Sequence, residues 1–410
     1  MRGFGTMMRD SGPARFTTAL LTALLITSAT FLPLLIPGTV ANPVPVPLGD
    51  SQNSDSSSLS GLYPDPEPCS GNCSWIHDPS IYYESGTYWR LSTSGNIAIA
   101  SAPSLGGPWR YEGALLTNGT SIFVVDNQDI WAPSVTKRGD TYYCHYSVSW
   151  IGRQDSAIGV ATSKSLKPGT WVDHGTVGLP LSKDYNLIDP FVYQEKADSP
   201  IYFTFGSYWN GIYQVELFYH DDLLTFGGWA QQNNRISNVI RNTSTNAAVV
   251  EGATMHKEKD FYYMFYSVGQ CCNTPKNGFV ARDLAPDGLV YHVVVCRSKA
   301  PNGPFQDRDG KSCLDQNGGT TILASHGDIY APGGQGVMID PQSGRTVMYY
   351  HYVRPSVGYA AEQFFLDTTT SIGKTAGPSS LLLERLGDMA SSGPHHVCRF
   401  SCLYFIQING

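Results

Sequence analysis

One pattern recurs five times along the chain, and that recurrence constrains the fold more than any other feature. Asp78 begins DPSIYYESGTYWRLSTS, Ala132 begins APSVTKRGDTYYCHYSVS, and Asp189 begins DPFVYQEKADSPIYFTFGS. Glu251 begins EGATMHKEKDFYYMFYSVG, and Ala331 begins APGGQGVMIDPQSGRTVMYYHYV. Each unit has a short opening motif, a strand-like stretch, a polar turn and an alternating aromatic strand. Several units close on a Gly-Pro-Trp-like turn after a third strand. Successive starts lie 54, 57, 62 and 80 residues apart. That spacing fits about four short strands with turns, the size of a propeller blade. Five units predict an all-β, five-bladed β-propeller. A sandwich or plain meander also alternates strands and turns, but neither explains the recurrence in register.

Composition agrees. Charged residues make up 15% of the 410, against roughly 25% in ordinary globular domains. Tyr, Gly and Pro are plentiful, as many short strands and tight turns require. Twelve per cent aromatic residues argue against a disordered chain. The net charge of −7 argues against nucleic acid as a partner, because that role needs a basic stripe.

The N-terminus reads as a targeting segment. Arg2, Arg9 and Arg15 precede an apolar run from Phe16 to Ile36, and Thr39-Val40-Ala41 offers a cleavage site. Residues 1–41 are thus a signal peptide, with an uncleaved signal anchor as the alternative. Residues 42–62 are a Pro/Ser-rich linker. The propeller domain spans 63–365. A secreted, extracellular protein is expected, with no membrane association after cleavage. Sequons at Asn72, Asn118 and Asn242 fit that route. Nine cysteines suggest disulfides with one thiol left over. The Cys69/Cys73 and Cys398/Cys402 spacings also admit a zinc reading. Adjacent Cys271 and Cys272 either bond to each other or have separate fates.

Three of the five units open on an acid: Asp78, Asp189 and Glu251. In a propeller the innermost strands of all blades face one channel, so these carboxylates should converge. Converging carboxylates repel and are costly to desolvate. An isolated Asp-Pro is usually just a turn, but three acids in phase with a repeat suggest chemistry. Glycosidic-bond hydrolysis needs one acid to protonate the leaving oxygen and a second carboxylate to activate water or attack carbon.

IHDPSIYY, DIWAPSV, NLIDPFVY, VEGATMHKEKDFYYMFYS with the Cys-Cys after it, and SHGDIYAPGGQGV resemble glycoside hydrolase family 43. Within it they are most similar to the arabinan endo-1,5-α-L-arabinosidase branch, over about residues 70 to 360. The resemblance implies a five-bladed propeller and an inverting mechanism on linear arabinan from plant cell-wall pectin. Asp78 matches the general base and Glu251 the general acid. Asp189 matches a third acid that raises the general acid's pKa and orients it. An inverting pair stands about 6.5–9.5 Å apart, leaving room for water. Trp131 matches a sugar-stacking platform. Asp129 and His77 are further candidate substrate contacts, each with a structural alternative. His326 matches a channel histidine that holds a hydrated metal, often calcium. Calcium prefers six to eight oxygens, so water would complete its shell. No organic cofactor is implied, and a monomer is expected. The Cys271-Cys272 pair matches one beside the acid's blade. Trp75, Trp150, Trp209 and Tyr330 are weaker sugar-contact candidates.

Past Tyr359 the resemblance fails. Residues 366–410 lack a blade pattern and read as an atypical, poorly ordered tail, leaving the fifth blade incomplete. Two rival functions stand beside endo-hydrolysis: an exo-acting arabinofuranosidase or xylosidase of the same family, and a non-catalytic carbohydrate-binding propeller.

Overall fold

Short strands rich in Tyr, Val, Ile and Thr, broken by Gly- and Asp-containing turns, can pair only locally as antiparallel meanders. The computed structural model describes residues 63–93, 95–227, 235–243, 249–270 and 288–356, and the backbone of 368–371. The signal segment, the linker, Cys271, Cys272, Cys398, Cys402 and the rest of the tail lie outside these residues. No helix among the described residues is long and apolar enough to cross a membrane.

The first sheet is β1 (Ser80–Glu84), β2 (Thr87–Ser92), β3 (Ala98–Ala102) and β4 (Arg110–Ala114), paired in that order. The second is β5 (Asp129–Arg138), β6 (Thr141–Ser149), β7 (Ala157–Ser163) and β8 (Val172–Thr176). The third holds β9 (Phe191–Gln194), β10 (Ile201–Phe205), β11 (Ile212–His220) and β12 (Leu223–Thr225), with β13 (Ser237–Ile240) also on β11. The fourth is β14 (Val250–Glu258), β15 (Phe261–Val268), β16 (His292–Ser298) and β17 (Thr320–Leu323). The fifth is β18 (Tyr330–Ile339), β19 (Thr346–Val353) and β20 (Thr368–Ser371).

The sheets pack face to face in sequence. Leu91 and Ile99 of the first meet Cys144 and Tyr146 of the second. Val160 and Tyr143 of the second meet Phe203 and Val215 of the third. Ile212 and Ile240 of the third meet Met264 and Val294 of the fourth. Tyr263 and Phe265 of the fourth meet Met348 and Tyr350 of the fifth. Val347 and Tyr349 of the fifth then meet Ile81 and Tyr88 of the first. The result is an all-β propeller. A strand covered on both faces has no solvent side, which is why β6 and β15 are buried almost throughout instead of alternating.

Four sheets have four or more strands. The fifth has three among the described residues, and its third strand corrects one boundary. β20 pairs with β19 from within the segment read as a tail. Its run of threonines is β-branched and suited to a strand, but four residues are too few to reveal a blade pattern.

The segment before β1 is fixed by several bonds. Cys69 and Cys73 form a disulfide, so this pair is not a zinc half-site. Arg90 lies 4.7 Å over the Trp109 ring and is almost wholly buried. Its Nη2 donates to both the backbone oxygen and Oδ1 of Asn72, each at 2.7 Å. A second disulfide joins Cys296 to Cys313, and Cys144 is a buried free thiol.

Phe203 is fully buried between the second and third sheets, edge-on to His145. Phe203→Ala should cost about 3–5 kcal/mol of stability. Urea unfolding of the two proteins checks this, and a loss below about 1 kcal/mol would contradict the inter-sheet core.

Candidate active site

The innermost strand of every sheet begins with a sharp bend. One residue at each bend has a left-handed backbone: Asp78 (φ 46°), Ala132 (φ 45°), Asp189 (φ 55°), Gly252 (φ 63°) and Ala331 (φ 52°). Proline follows four of the five, and Pro133 and Pro332 fall within register shifts of the ladder. Proline fits there because inner strands are sheet edges and a bulge leaves an amide unpaired.

This geometry corrects the phase of one acid. Gly252, not Glu251, is the counterpart of Asp78 and Asp189. Glu251 pairs with Ser267 on β15 as Trp131 pairs with Ser147 on β6, each just before a register shift. Glu251 and Trp131 are thus equivalent, one residue ahead of the bend. The acids still meet, because adjacent positions at one channel mouth point into the same space.

Asp78 is held on every side. His77 Nδ1 lies 2.7 Å from its Oδ2, and Thr93 Oγ1 donates to that oxygen at 2.8 Å. Its amide donates to His351 Nδ1 at 3.1 Å. Burial opposes ionisation of Asp78, but the paired His77 and the Thr93 bond outweigh it and lower the pKa to about 2. Burial also opposes charging of His77, yet the adjoining carboxylate wins and the net shift is upward. Asp78 is thus an anion throughout the working pH range.

Glu251 is the opposite case. Its carboxyl is 9% exposed, with Ser207 donating to Oε2 and Tyr291 donating to Oε1 at 2.8 Å. Burial raises its pKa; the two hydroxyls pull it down, the charge of Asp78 pushes it up, and the net shift is upward. Asp189 is raised well above the usual carboxylate value, first by burial and then by Glu251 and Asp78. Its Oδ2 accepts the Gly252 amide at 3.1 Å, and Ser147 Oγ accepts its own amide at 2.9 Å. Asp189 therefore grips the backbone one residue past Glu251. One permanent anion faces two carboxyls that resist ionising, the division that acid–base catalysis requires.

The other candidates are dispersed. Trp131 stands at the mouth, half-buried. Asp129 accepts the neighbouring Ile130 amide at 2.8 Å, a local cap. His77 is part of the acid cluster. His326 is not placed with it. Its Nδ1 bonds to Ala324 O at 2.8 Å, and its ring lies against Tyr63. Among the described residues the close histidine–acid group is His77, Asp78 and His351. His326 Nε2 is buried without a hydrogen-bond partner, 3.6 Å from Asp65 Oδ1. An orphaned buried nitrogen suits a bound water or hydrated cation, so the residue fits the metal role while its place in the cluster does not. Trp75, Trp150 and Trp209 are exposed, whereas Tyr330 is buried. Trp75, Tyr208 and Trp209 have left-handed backbones.

Sequence reasoning missed Ser207, Tyr291 and His351. None opens a unit, and each reads locally as strand or loop. Only the glycines of APGGQGV hinted at crowding. A Cβ on Gly333 would stand 1.9 Å from Tyr291 Cε1, and one on Gly334 2.5 Å from His351 Nδ1 and 2.7 Å from Asp78 Oδ1.

The profile described as "Glycosyl hydrolases family 43" matches residues 74–374. "Arabinan endo-1,5-alpha-L-arabinosidase A" of Aspergillus niger is 42% identical over 303 residues, covering 73% of this chain and 88% of that protein. The Aspergillus aculeatus protein of that name is 42% identical over 312 residues, covering 74% and 91%. The native Bacillus subtilis arabinanase structure has a TM-score of 0.57 at 25% identity, covering 73% of this chain and 94% of that one. The exo-1,5-alpha-L-arabinanase structure from a bovine ruminal metagenomic library has a TM-score of 0.58 at 24% identity, covering 72% and 91%, a likeness of fold.

Two predictions follow from the packing and the charges. Gly333→Ala must displace the Tyr291 ring and its bond to Glu251, so kcat should fall at least about tenfold; unchanged kinetics would show the ring to be free. Asp189→Asn keeps an acceptor for the Gly252 amide but removes a disfavoured charge. A raised folded-state pKa makes deprotonation oppose folding, a penalty absent below the ordinary carboxyl pKa and complete above the raised one. Asp189→Asn should therefore melt higher than wild type at neutral pH, with the gap closing as pH falls from the raised pKa to the ordinary carboxyl value. Equal or lower melting at neutral pH would contradict it.

Proposed function

Because the chain belongs to family 43 of the glycosyl hydrolases, we propose that this glycoside hydrolase cleaves internal α-1,5-L-arabinofuranosidic bonds of arabinan by inversion. The observation that carries the reading is three carboxyls gathered at the inner-strand bends, Asp78 held below the usual carboxylate range and Glu251 and Asp189 raised above it. Curated relatives named as endo-arabinosidases at 42% identity support the substrate.

In the proposed mechanism Asp78 takes a proton from the water that attacks the anomeric carbon. Its low pKa makes it a modest base, and position compensates: His77 and Thr93 fix Oδ2, and His351 accepts the Asp78 amide and so holds its backbone. Glu251 gives its proton to the departing sugar oxygen. Ser207 and Tyr291 aim its carboxyl and receive its charge once the proton has left. Asp189 holds the Gly252 amide and so the acid's backbone. Trp131 offers an indole face on which a furanose ring can stack. A calcium ion carried through waters on His326 Nε2 would supply positive potential when bound.

The finer features belong to the same reading. They are a five-bladed ring with a reduced fifth blade, export through the N-terminal signal, and action as a monomer on pectic arabinan.

Linear arabinan incubated with the purified protein should yield oligomers on chromatography, and monomer alone would replace endo with exo action. NMR of the first product should show inverted anomeric configuration. Glu251→Gln should lower kcat about 10²–10⁴-fold, and unchanged sugar release would leave only a binding role.

A further inference from the structure

We propose that His351 is a positioning residue for hydrolysis, holding the general base from the opposite end of the chain through a neutral Nδ1 acceptor. The inference rests on the reading of Asp78 as the base and deepens it.

The geometry is specific. The Asp78 amide donates to His351 Nδ1 at 3.1 Å across 273 residues of sequence. Asp78 carries a left-handed backbone, φ 46°, which is disfavoured in a non-glycine residue. A bend of that kind persists only where neighbours enforce it. His351 is one such neighbour, and it has no freedom of its own. Its ring stacks on His77 at 3.9 Å and 21°, and lies parallel to Tyr291 at 6.0 Å and 4°. The backbone of Gly334 closes a further side, with no room for a Cβ. The side chain is 2% exposed.

The tautomer follows from the partner. An amide N–H can bond only to a lone pair, so Nδ1 is unprotonated and the ring proton sits on Nε2. A second proton on Nδ1 would face the amide and break the bond. Burial, followed by the nearby His77, depresses the pKa to about 3, consistent with a ring that stays neutral. Tyr291, on the other face, donates to Glu251. The Tyr291–His351–His77 stack therefore spans from the acid to the base, so a shift of His351 reaches both.

Two substitutions separate the acceptor from the ring. His351→Asn places an amide oxygen near the site of Nδ1 and discards the stack. His351→Phe keeps a flat ring and discards the acceptor. On linear arabinan the Phe variant should lose about 100-fold in kcat with KM nearly unchanged, while the Asn variant stays within about tenfold of wild type. Equal kcat in the two variants, or losses confined to KM or to melting temperature, would overturn the proposal. A measurement on the wild type guards against misfolded variants. In histidine ¹⁵N NMR between about pH 5 and 8, the His351 ring, its resonance assigned by its loss in His351→Asn, should stay neutral with Nε2 protonated. An Nδ1-protonated or charged ring there would also overturn it. If wild type fails to cleave arabinan, the substrate reading fails while the NMR result still decides the tautomer. If wild type cleaves it and the two variants match, only the role of His351 fails.

Discussion

The inner strand of each of the five sheets among the described residues turns abruptly near its start. Five residues with left-handed backbones make those turns, one per sheet. Two are Asp78 and Asp189, and a third, Gly252, is the residue after Glu251. Aspartate tolerates this conformation better than most side chains because it can bond locally. At Asp78 and Asp189 one residue therefore makes the bend and carries the carboxyl, while at the fourth sheet the two are split between Gly252 and Glu251. Ala132 and Ala331 occupy the bend without chemistry, and their local contacts hold them: Thr93 Oγ1 accepts the Ala132 amide and Ser325 Oγ that of Ala331.

The acids are not merely gathered but differentiated. All three experience burial, which disfavours charge. Asp78 alone has a cationic partner and a hydroxyl on one oxygen, and it alone shifts downward. Glu251 has only neutral donors, and Asp189 only an amide, so burial and mutual repulsion prevail. Asp78 takes His77 and Thr93 from its own segment, whereas Glu251 takes Ser207 from beside the third sheet and Tyr291 from 40 residues further along the chain. Charge of this kind works against folding, and the five inter-sheet cores supply the compensating burial.

Much of this was legible in the sequence. The recurrence of opening motif and aromatic hairpin pointed to the sheets, and the acids stood out because three of the five units open on one. The phase of Glu251 was misread by one residue. EGAT aligns by eye with DPSI, but the bend falls on its glycine, and only the strand register reveals it. His326 was legible as a motif and not as a position, since nothing local indicates that its ring packs on Tyr63. β20 escaped notice because four residues carry too little pattern.

The sequence by itself determined the all-β fold and the repeat, and it picked out three acids that the structure brings together, since these depend on local propensity and on periodicity. Tertiary structure alone decided which carboxyl stays ionised, which glycine makes the fourth bend, and that His351 reaches Asp78. Those outcomes depend on contacts between groups up to 273 residues apart. The His351 contact is fixed when the fifth sheet packs on the first, and no short window of the chain contains it.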